Sequence, residues 1–328
     1  MKNDVLVKVE MLEKRFQMRG SLFYSLLGRK QQHVDAVRGI NFEINRGEVF
    51  GLAGESGCGK TTTGRLLASL EEPSGGQIFF KGEDITDLKG STLKGFRRKV
   101  QMIFQDPYDA LDPRYTVFRS VCEPLVIHEI GESYEERVKL VSDILGHVDL
   151  TPPEDFFYRL PHELSGGQRQ RVAVARAMVL DPEFLVADEP VSMLDVSIRA
   201  QILNLMLRLK EEFNVTYLFI THDLSVARYM CDRLAVMYLG SIVETGLAEE
   251  LIQNPVHPYT KLLLSSVPVP DPAVKRESVS SSFDISHSQN VTRGCRFYPR
   301  CANAKETCLS TEPKLREIRK NHFVACYL

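Results

Sequence analysis

Short apolar runs recur along the chain as far as residue 252, and between them apolar side chains return every three or four positions. The runs at Val49–Ala53, 100–104, 184–187, 216–220 and 234–238 are nearly unbroken, which predicts strands covered on both faces. Residues 197–213 place Ile198, Ile202, Leu205, Leu209 and Phe213 on one helical stripe, with Arg199, Arg208, Lys210 and Glu211 off it. This is the pattern of a helix lying on a sheet. Residues 107–163 break the alternation: two proline-containing loops flank an amphipathic stretch over 134–145, which predicts a mostly helical insertion. From Asn254 onward the periodicity fades, and 278–288 is a Ser-rich linker with no core of its own. No internal repeat is present. Strand and helix patterns in alternation predict an α/β domain with a largely parallel sheet.

Composition narrows this little. The chain has 328 residues, enough for about two domains, and its 43% hydrophobic and 26% charged content excludes disorder, collagen and coiled coil. No stretch approaches the roughly 18 uninterrupted apolar residues of a membrane span, and the first sixteen residues lack the apolar core of a secretory signal, so a cytosolic chain is expected. A net charge of -2 advertises neither nucleic acid nor an anionic membrane. It hides an asymmetry, however. Residues 253–328 carry eleven basic and six acidic side chains, with seven of the sixteen prolines and four of the seven cysteines. In a cytosolic chain those cysteines point to metal or cluster ligation rather than disulfides.

Gly54-Glu55-Ser56-Gly57-Cys58-Gly59-Lys60-Thr61 fits G-x-x-x-x-G-K-[ST] and stands between the run VFGLA and the helix-compatible TTTGRLLASL, the context such a phosphate loop requires. Its glycines let successive N–H groups, that of Cys58 among them, face one cavity at a helix N-terminus. Lys60 is expected on the β and γ phosphates, Thr61 on Mg²⁺ and Thr62 at the α phosphate. The run 184–187 ends in Asp188, placed to hold Mg²⁺, and Glu189 comes next, placed to orient or deprotonate the attacking water.

Leu164-Ser165-Gly166-Gly167-Gln168, shortly before Asp188, resembles the signature of ATP-binding cassette (ABC) ATPases. Ser165, Gly166, Gly167 and Gln168 open a helix and present N–H groups and a dipole to a phosphate. The resemblance implies a P-loop NTPase fold with a RecA-like core, an antiparallel β subdomain and a helical subdomain over about 106–180. It also implies two such domains sandwiching two ATP molecules, each signature facing the nucleotide of the other subunit. Gln105 in MIFQDP resembles the Q-loop glutamine, which contacts Mg²⁺ and the lytic water. His222 after YLFIT resembles the switch histidine on the γ phosphate, and Asp195 in SMLD the D-loop aspartate. Phe16 is the best match for the aromatic that stacks on adenine, with Tyr24, His33 and plain core packing of Phe16 as alternatives.

The tail narrows the resemblance. Asn254-Pro255-Val256-His257-Pro258-Tyr259-Thr260 and Gly294-Cys295-Arg296-Phe297-Tyr298-Pro299-Arg300-Cys301 are similar to the C-terminal extension of oligopeptide and dipeptide importer ATPases. With GESGCGK and IFQDP the likeness spans nearly the whole chain and is nearest the F-type subunit. Thr61 stands where these relatives usually have Ser, and Met193 where they usually have Ala. The expected division is a nucleotide-binding domain over 1–252 and an extension over 253–328. Cys295, Cys301, Cys308 and Cys326 follow C-x5-C-x6-C-x17-C, wider than the pairs of zinc ribbons. The spacing suits a 4Fe-4S cluster with Arg293, Arg296 and Arg300 offsetting its charge, as the resemblance also implies; zinc and packed thiols stay open. The implied partners are a homologous second ATPase subunit, two membrane permease subunits and, through them, an extracytoplasmic peptide-binding protein. Residues 106–163 are the implied docking surface, and the implied location is peripheral, on the cytoplasmic face of the inner membrane. Import of nickel, glutathione or another small solute is an alternative, and so is a soluble ABC ATPase acting on nucleic acid. Against the latter stand the single cassette and the lack of a basic, aromatic-studded face.

Overall fold

Runs with no polar position become central strands, because only a strand flanked by neighbours and covered on both faces can bury every side chain. The computed structural model describes residues 4–17, 33–266 and 293–328. Its first strands are β1 (Val5–Gln17), β2 (His33–Asn45), β3 (Val49–Ala53), β4 (Gly75–Phe80), β5 (Glu83–Asp84) and β6 (Val100–Ile103). They are followed by β7 (Phe184–Asp188), β8 (Thr216–Thr221), β9 (Arg233–Tyr238), β10 (Ser241–Leu247), β11 (Arg316–Arg319) and β12 (His322–Val324). The main sheet runs β11-β12-β10-β9-β3-β8-β7-β6, parallel from β9 to β6 and antiparallel beyond. A second, antiparallel sheet has the order β2-β1-β4-β5.

Every residue of β3, β7 and β8 is buried, and alternate residues feed two cores. Val49, Ala53, Leu185, Ala187 and Phe219 join one core with Val121, Leu125, Val141 and Leu145 of the insertion and Leu205 and Leu209 of the long helix. Phe50, Leu52, Val186, Leu218 and Ile220 join the other, with Leu66 and Leu67 and with Leu6, Val9, Ile40 and Ile44 of the antiparallel sheet. The helices that matter for the site are α1 (Lys60–Leu67), α2 (Val117–Ile127), α3 (Tyr134–His147), α4 (Gly166–Met178), α5 (Val196–Phe213), α6 (Leu224–Met230) and α7 (Pro258–Ser265). The insertion is helical as expected. Its helix α3 starts where the Ser133 hydroxyl accepts the Glu136 N–H at 3.1 Å, with Glu135 and Glu136 suited to the positive helix end. Among the described residues no helix is long and apolar enough to cross a membrane.

Among the described residues, those of the tail add to the core formed by the preceding strands and helices. Tyr259 and Phe297 are buried against Tyr238, with ring centroids 4.5 and 5.3 Å from it. Strand β12 pairs with β10 and so extends the main sheet. The buried Glu244 of β10 ties the two parts: it accepts the N–H groups of Val256 at 2.8 Å and His257 at 3.0 Å, and lies 2.8 Å from Nε2 of the buried His322. Each buried partner left stranded costs about 1–3 kcal/mol. Glu244→Ala is therefore expected to lower the urea midpoint of the full chain markedly; an unchanged midpoint would contradict this role.

Candidate active site

Strand β3 delivers the chain into the phosphate loop, and α1 carries it out. Gly54 has φ +154° and a Cβ there would lie 2.3 Å from the Met237 carbonyl oxygen; Gly59 has φ +109° and a Cβ would lie 2.2 Å from that of Ala36. No side chain fits at either position, so the loop is wedged against the ends of β9 and β2. Ser56 and Gly57 form its exposed crest. The buried Lys60 lies under it, its Nζ donating to the carbonyls of Gly54 at 2.8 Å and Glu55 at 2.9 Å. The first N–H groups of α1, from Lys60 through Thr62, lack intrahelical partners by helix geometry and give the loop the positive end of a helix. Cys58 is buried and burial pushes its thiol up, which keeps it neutral beside Lys60.

The carboxylates arrive on β7. Asp188, 3% exposed, accepts a hydrogen bond from the Thr61 hydroxyl at 3.1 Å. Burial holds its carboxyl above the usual range, and that hydrogen bond partly offsets the effect. This pair is a hard oxygen site of the kind Mg²⁺ takes. Glu189 leaves the strand with φ +46°, a costly conformation for a residue with a side chain, held by its N–H to the Ile220 carbonyl at 3.0 Å. The turn brings its carboxylate to a meeting point. Gln105 Nε2 donates to Glu189 Oε2 at 3.2 Å, His222 Nδ1 stands 2.9 Å from that oxygen, and Lys60 Nζ is 4.0 Å from Oε1. Three other parts of the chain thus converge on one carboxylate. Gln105 and His222 are exposed, so the meeting point opens to solvent, where a water can be held.

The LSGGQ segment lies elsewhere. Ser165 caps α4, its hydroxyl accepting the Gln168 N–H at 3.3 Å while Gln168 Oε1 accepts the Ser165 N–H at 2.9 Å. Ser165 is exposed and Gly166 and Gly167 half-buried, so the segment faces outward rather than into its own lobe. A Cβ on Gly167 would come within 2.7 Å of Ile198 in α5, which fixes the segment against the stretch holding Asp195. Asp195 is exposed, and beside it stand Met193, 63% exposed, and Val196, 82% exposed. Phe16 ends β1 at 38% exposure with Lys14 Nζ 5.0 Å over its ring, so it is not packed in the core. His33 pairs nearby with Gln17, and Tyr24 lies outside the described residues.

Cys295, Cys301, Cys308 and Cys326 line one small pocket in the tail, all without disulfides. Burial pushes the Cys295 thiol up to about 11, and that of Cys301 upward as well. Gly294, at φ +76°, lets the chain pass the Cys308 carbonyl, which accepts the Cys295 N–H at 2.7 Å. Among the described residues no three His, Cys, Asp or Glu side chains stand close enough to hold a single metal ion. Arg300 departs from expectation. Its guanidinium is committed to Glu55 of the phosphate loop, at 2.8 Å through both terminal nitrogens, rather than to balancing charge at the thiols. Glu55 had no role in the phosphate-loop pattern, where position 55 is variable, and Tyr259, whose hydroxyl accepts the Glu55 N–H at 2.8 Å, stood in the tail motif with no role at the nucleotide site.

Residues 37–192 match the family described as ABC transporter, and residues 243–308 match the oligopeptide/dipeptide transporter C-terminal region. The chain is 47% identical to the oligopeptide transport ATP-binding protein AppF of Bacillus subtilis, over 99% of this chain and 98% of that one. It is 42% identical to the dipeptide transport ATP-binding protein DppF of Haemophilus influenzae, over 99% and 97%. The dimeric post-hydrolysis structure of the ATP-binding cassette MJ0796 bound to ADP and Pi superposes with a TM-score of 0.65 at 31% identity, covering 74% of this chain and 99% of that one. With a phosphate loop, a carboxylate pair and an outward-facing LSGGQ helix in this arrangement, the chain belongs to the ABC transporter family, as an ATP-hydrolysing ATP-binding protein with the oligopeptide/dipeptide transporter C-terminal region.

Proposed function

We propose that this chain energises import of oligopeptides or dipeptides, working at the cytoplasmic face of the membrane with a homologous second ATPase subunit, two permease subunits and a peptide-binding protein outside. The observation that carries the reading is the near full-length likeness to AppF, tail included. The division into a cassette over 1–252, with its helical subdomain at about 106–180, and an extension over 253–328 belongs to the same proposal.

In the proposed cycle Lys60 and the N–H groups of 57–62 grip the β and γ phosphates, and Phe16 offers its exposed face to adenine. Thr61 and Asp188 would hold Mg²⁺, with Gln105 beside it; the ion supplies neutralising charge to the phosphates. Glu189 aligns a water and takes its proton, while Gln105 and His222 fix which way its Oε2 points. The outward N-terminus of α4, led by Ser165, Gly166 and Gly167, closes on nucleotide held by the second lobe. Exposed Met193 and Val196 would then be covered. The test is ATPase activity in membranes containing the permease subunits. Peptide-loaded binding protein is expected to stimulate it; stimulation by nucleic acid, nickel or glutathione instead would overturn the reading.

From the C-x5-C-x6-C-x17-C spacing and the four unbridged thiols that line one pocket, we propose Cys295, Cys301, Cys308 and Cys326 as ligands of an iron-sulfur cluster. Protein purified without oxygen is expected to be brown, with iron and acid-labile sulfide in near fourfold ratio to protein for a four-iron cluster. Colourless protein with stoichiometric zinc would refute the assignment.

A further inference from the structure

Glu55 places a carboxylate in the loop that receives a triphosphate, and like charges at short range oppose binding. The counter-charge comes from the far end of the chain. Arg300 Nη1 and Nη2 each donate to a different oxygen of Glu55 at 2.8 Å, a bidentate pair whose planar fork fixes direction as well as distance. The Arg300 side chain is only 6% exposed and lies against Tyr238 and Phe297, its guanidinium carbon 5.8 and 5.7 Å from their ring centres. The main chain of Glu55 is held by the same segment of sequence, since its N–H donates to the hydroxyl of the buried Tyr259 in α7 at 2.8 Å. Tyr259 cannot drift, being packed between Tyr238 and Phe297 with centroids at 4.5 and 5.5 Å. Lys60 meanwhile donates to the Glu55 carbonyl at 2.9 Å. Amide, carbonyl and carboxylate of this one residue are therefore all engaged, two of the three by residues beyond Asn254.

We infer that Arg300 and Tyr259 are positioning residues of the nucleotide site: they fix Glu55 and cancel its charge, so that the tail is a working part of ATP binding. The inference rests on the assignment of 54–62 as the phosphate loop. Without Arg300, a free carboxylate would stand at the loop beside a highly charged ligand, and the loop would lose one of its anchors.

The experiment measures Kd for a fluorescent ATP analogue, and KM and kcat for ATP, on the full chain. Arg300→Met is expected to raise Kd and KM at least tenfold with a much smaller change in kcat, and the defect is expected to shrink at high salt, which screens the exposed charge. Adding Glu55→Gln to Arg300→Met is expected to restore Kd to within about threefold of the parent, because the charge needing cancellation is gone. Tyr259→Phe, which keeps the ring and loses the acceptor, is expected to raise Kd a few-fold. Wild-type affinity in Arg300→Met, or a loss that Glu55→Gln leaves unrepaired, would overturn the inference. Should Arg300→Met not fold, Arg300→Gln carries the same test: it removes the charge but keeps a polar head, so a raised Kd is expected and a wild-type Kd refutes. Lys60→Ala in the same assay separates the two levels. Normal binding by Lys60→Ala means that the phosphate-loop assignment has failed, whereas loss in Lys60→Ala with none in Arg300→Met removes only the role given to the tail.

Discussion

Glu189→Gln is expected to lower ATP turnover by roughly 10²–10⁴-fold, the usual contribution of a positioned proton acceptor, while ATP binding is retained. The amide has the size of the carboxylate and keeps a carbonyl that accepts from Gln105 Nε2, now 3.2 Å from Glu189 Oε2, so the turn after β7 survives. What disappears is the negative charge beside His222 and Lys60 and the capacity to take a proton. Bound ATP is then expected to persist, and with it the closed pair of lobes proposed above. Size-exclusion chromatography of Glu189→Gln with the proposed second ATPase subunit, ATP and Mg²⁺ is expected to show the two co-eluting as a stable pair, which the parent does not sustain. Turnover at the parent rate would remove Glu189 from its role.

Lys60→Ala is expected to produce the largest loss of nucleotide affinity of any single change at the site. Hydrogen bonds to charged groups contribute about 1.5–3 kcal/mol each, so removing the ammonium corresponds to a rise in Kd of about ten- to a hundredfold or more. The loop itself is expected to keep its path, because Gly54 and Gly59 are fixed by the backbones of Met237 and Ala36 and not by Lys60 alone. The two variants therefore divide the site cleanly. Lys60→Ala raises Kd, and Glu189→Gln lowers kcat. A Kd for Lys60→Ala equal to that of the parent, by equilibrium titration, would contradict the phosphate assignment.

The residues that carry these predictions were not equally visible beforehand. The phosphate loop and the pair Asp188 and Glu189 could be read because each is a local event: a buried apolar run must end, and the turn at its carboxyl end opens onto the ligand crevice. The antiparallel sheet was implied only by family likeness. Strands β1 and β2 are thirteen residues each, and register shifts at Val5/Val7, Val9/Leu12 and Leu12/Lys14 spoil the period-two alternation that would have marked them. The tail was legible as a cysteine-bearing segment of different composition, yet its structural part was not. Phe297 stands between prolines and cysteines with no periodic neighbours, Tyr259 has only one helical turn of them, and the burial of both depends on Tyr238, some twenty residues and more earlier in the chain.

By itself the amino-acid sequence determined the α/β class, the covered strands, the phosphate loop with its carboxylates, the LSGGQ helix start and the four cysteines. All of these are written in contiguous residues whose backbone and solvation demands are met within a few positions. Only the tertiary structure decided that Gln105, His222 and Lys60 meet at Glu189, that Ser165 faces outward, and that Arg300 reaches Glu55 across 245 positions of chain. Those meetings are set by which strands lie side by side. Parallel pairing joins segments through long crossovers, and distance along the chain then carries no information about distance in space.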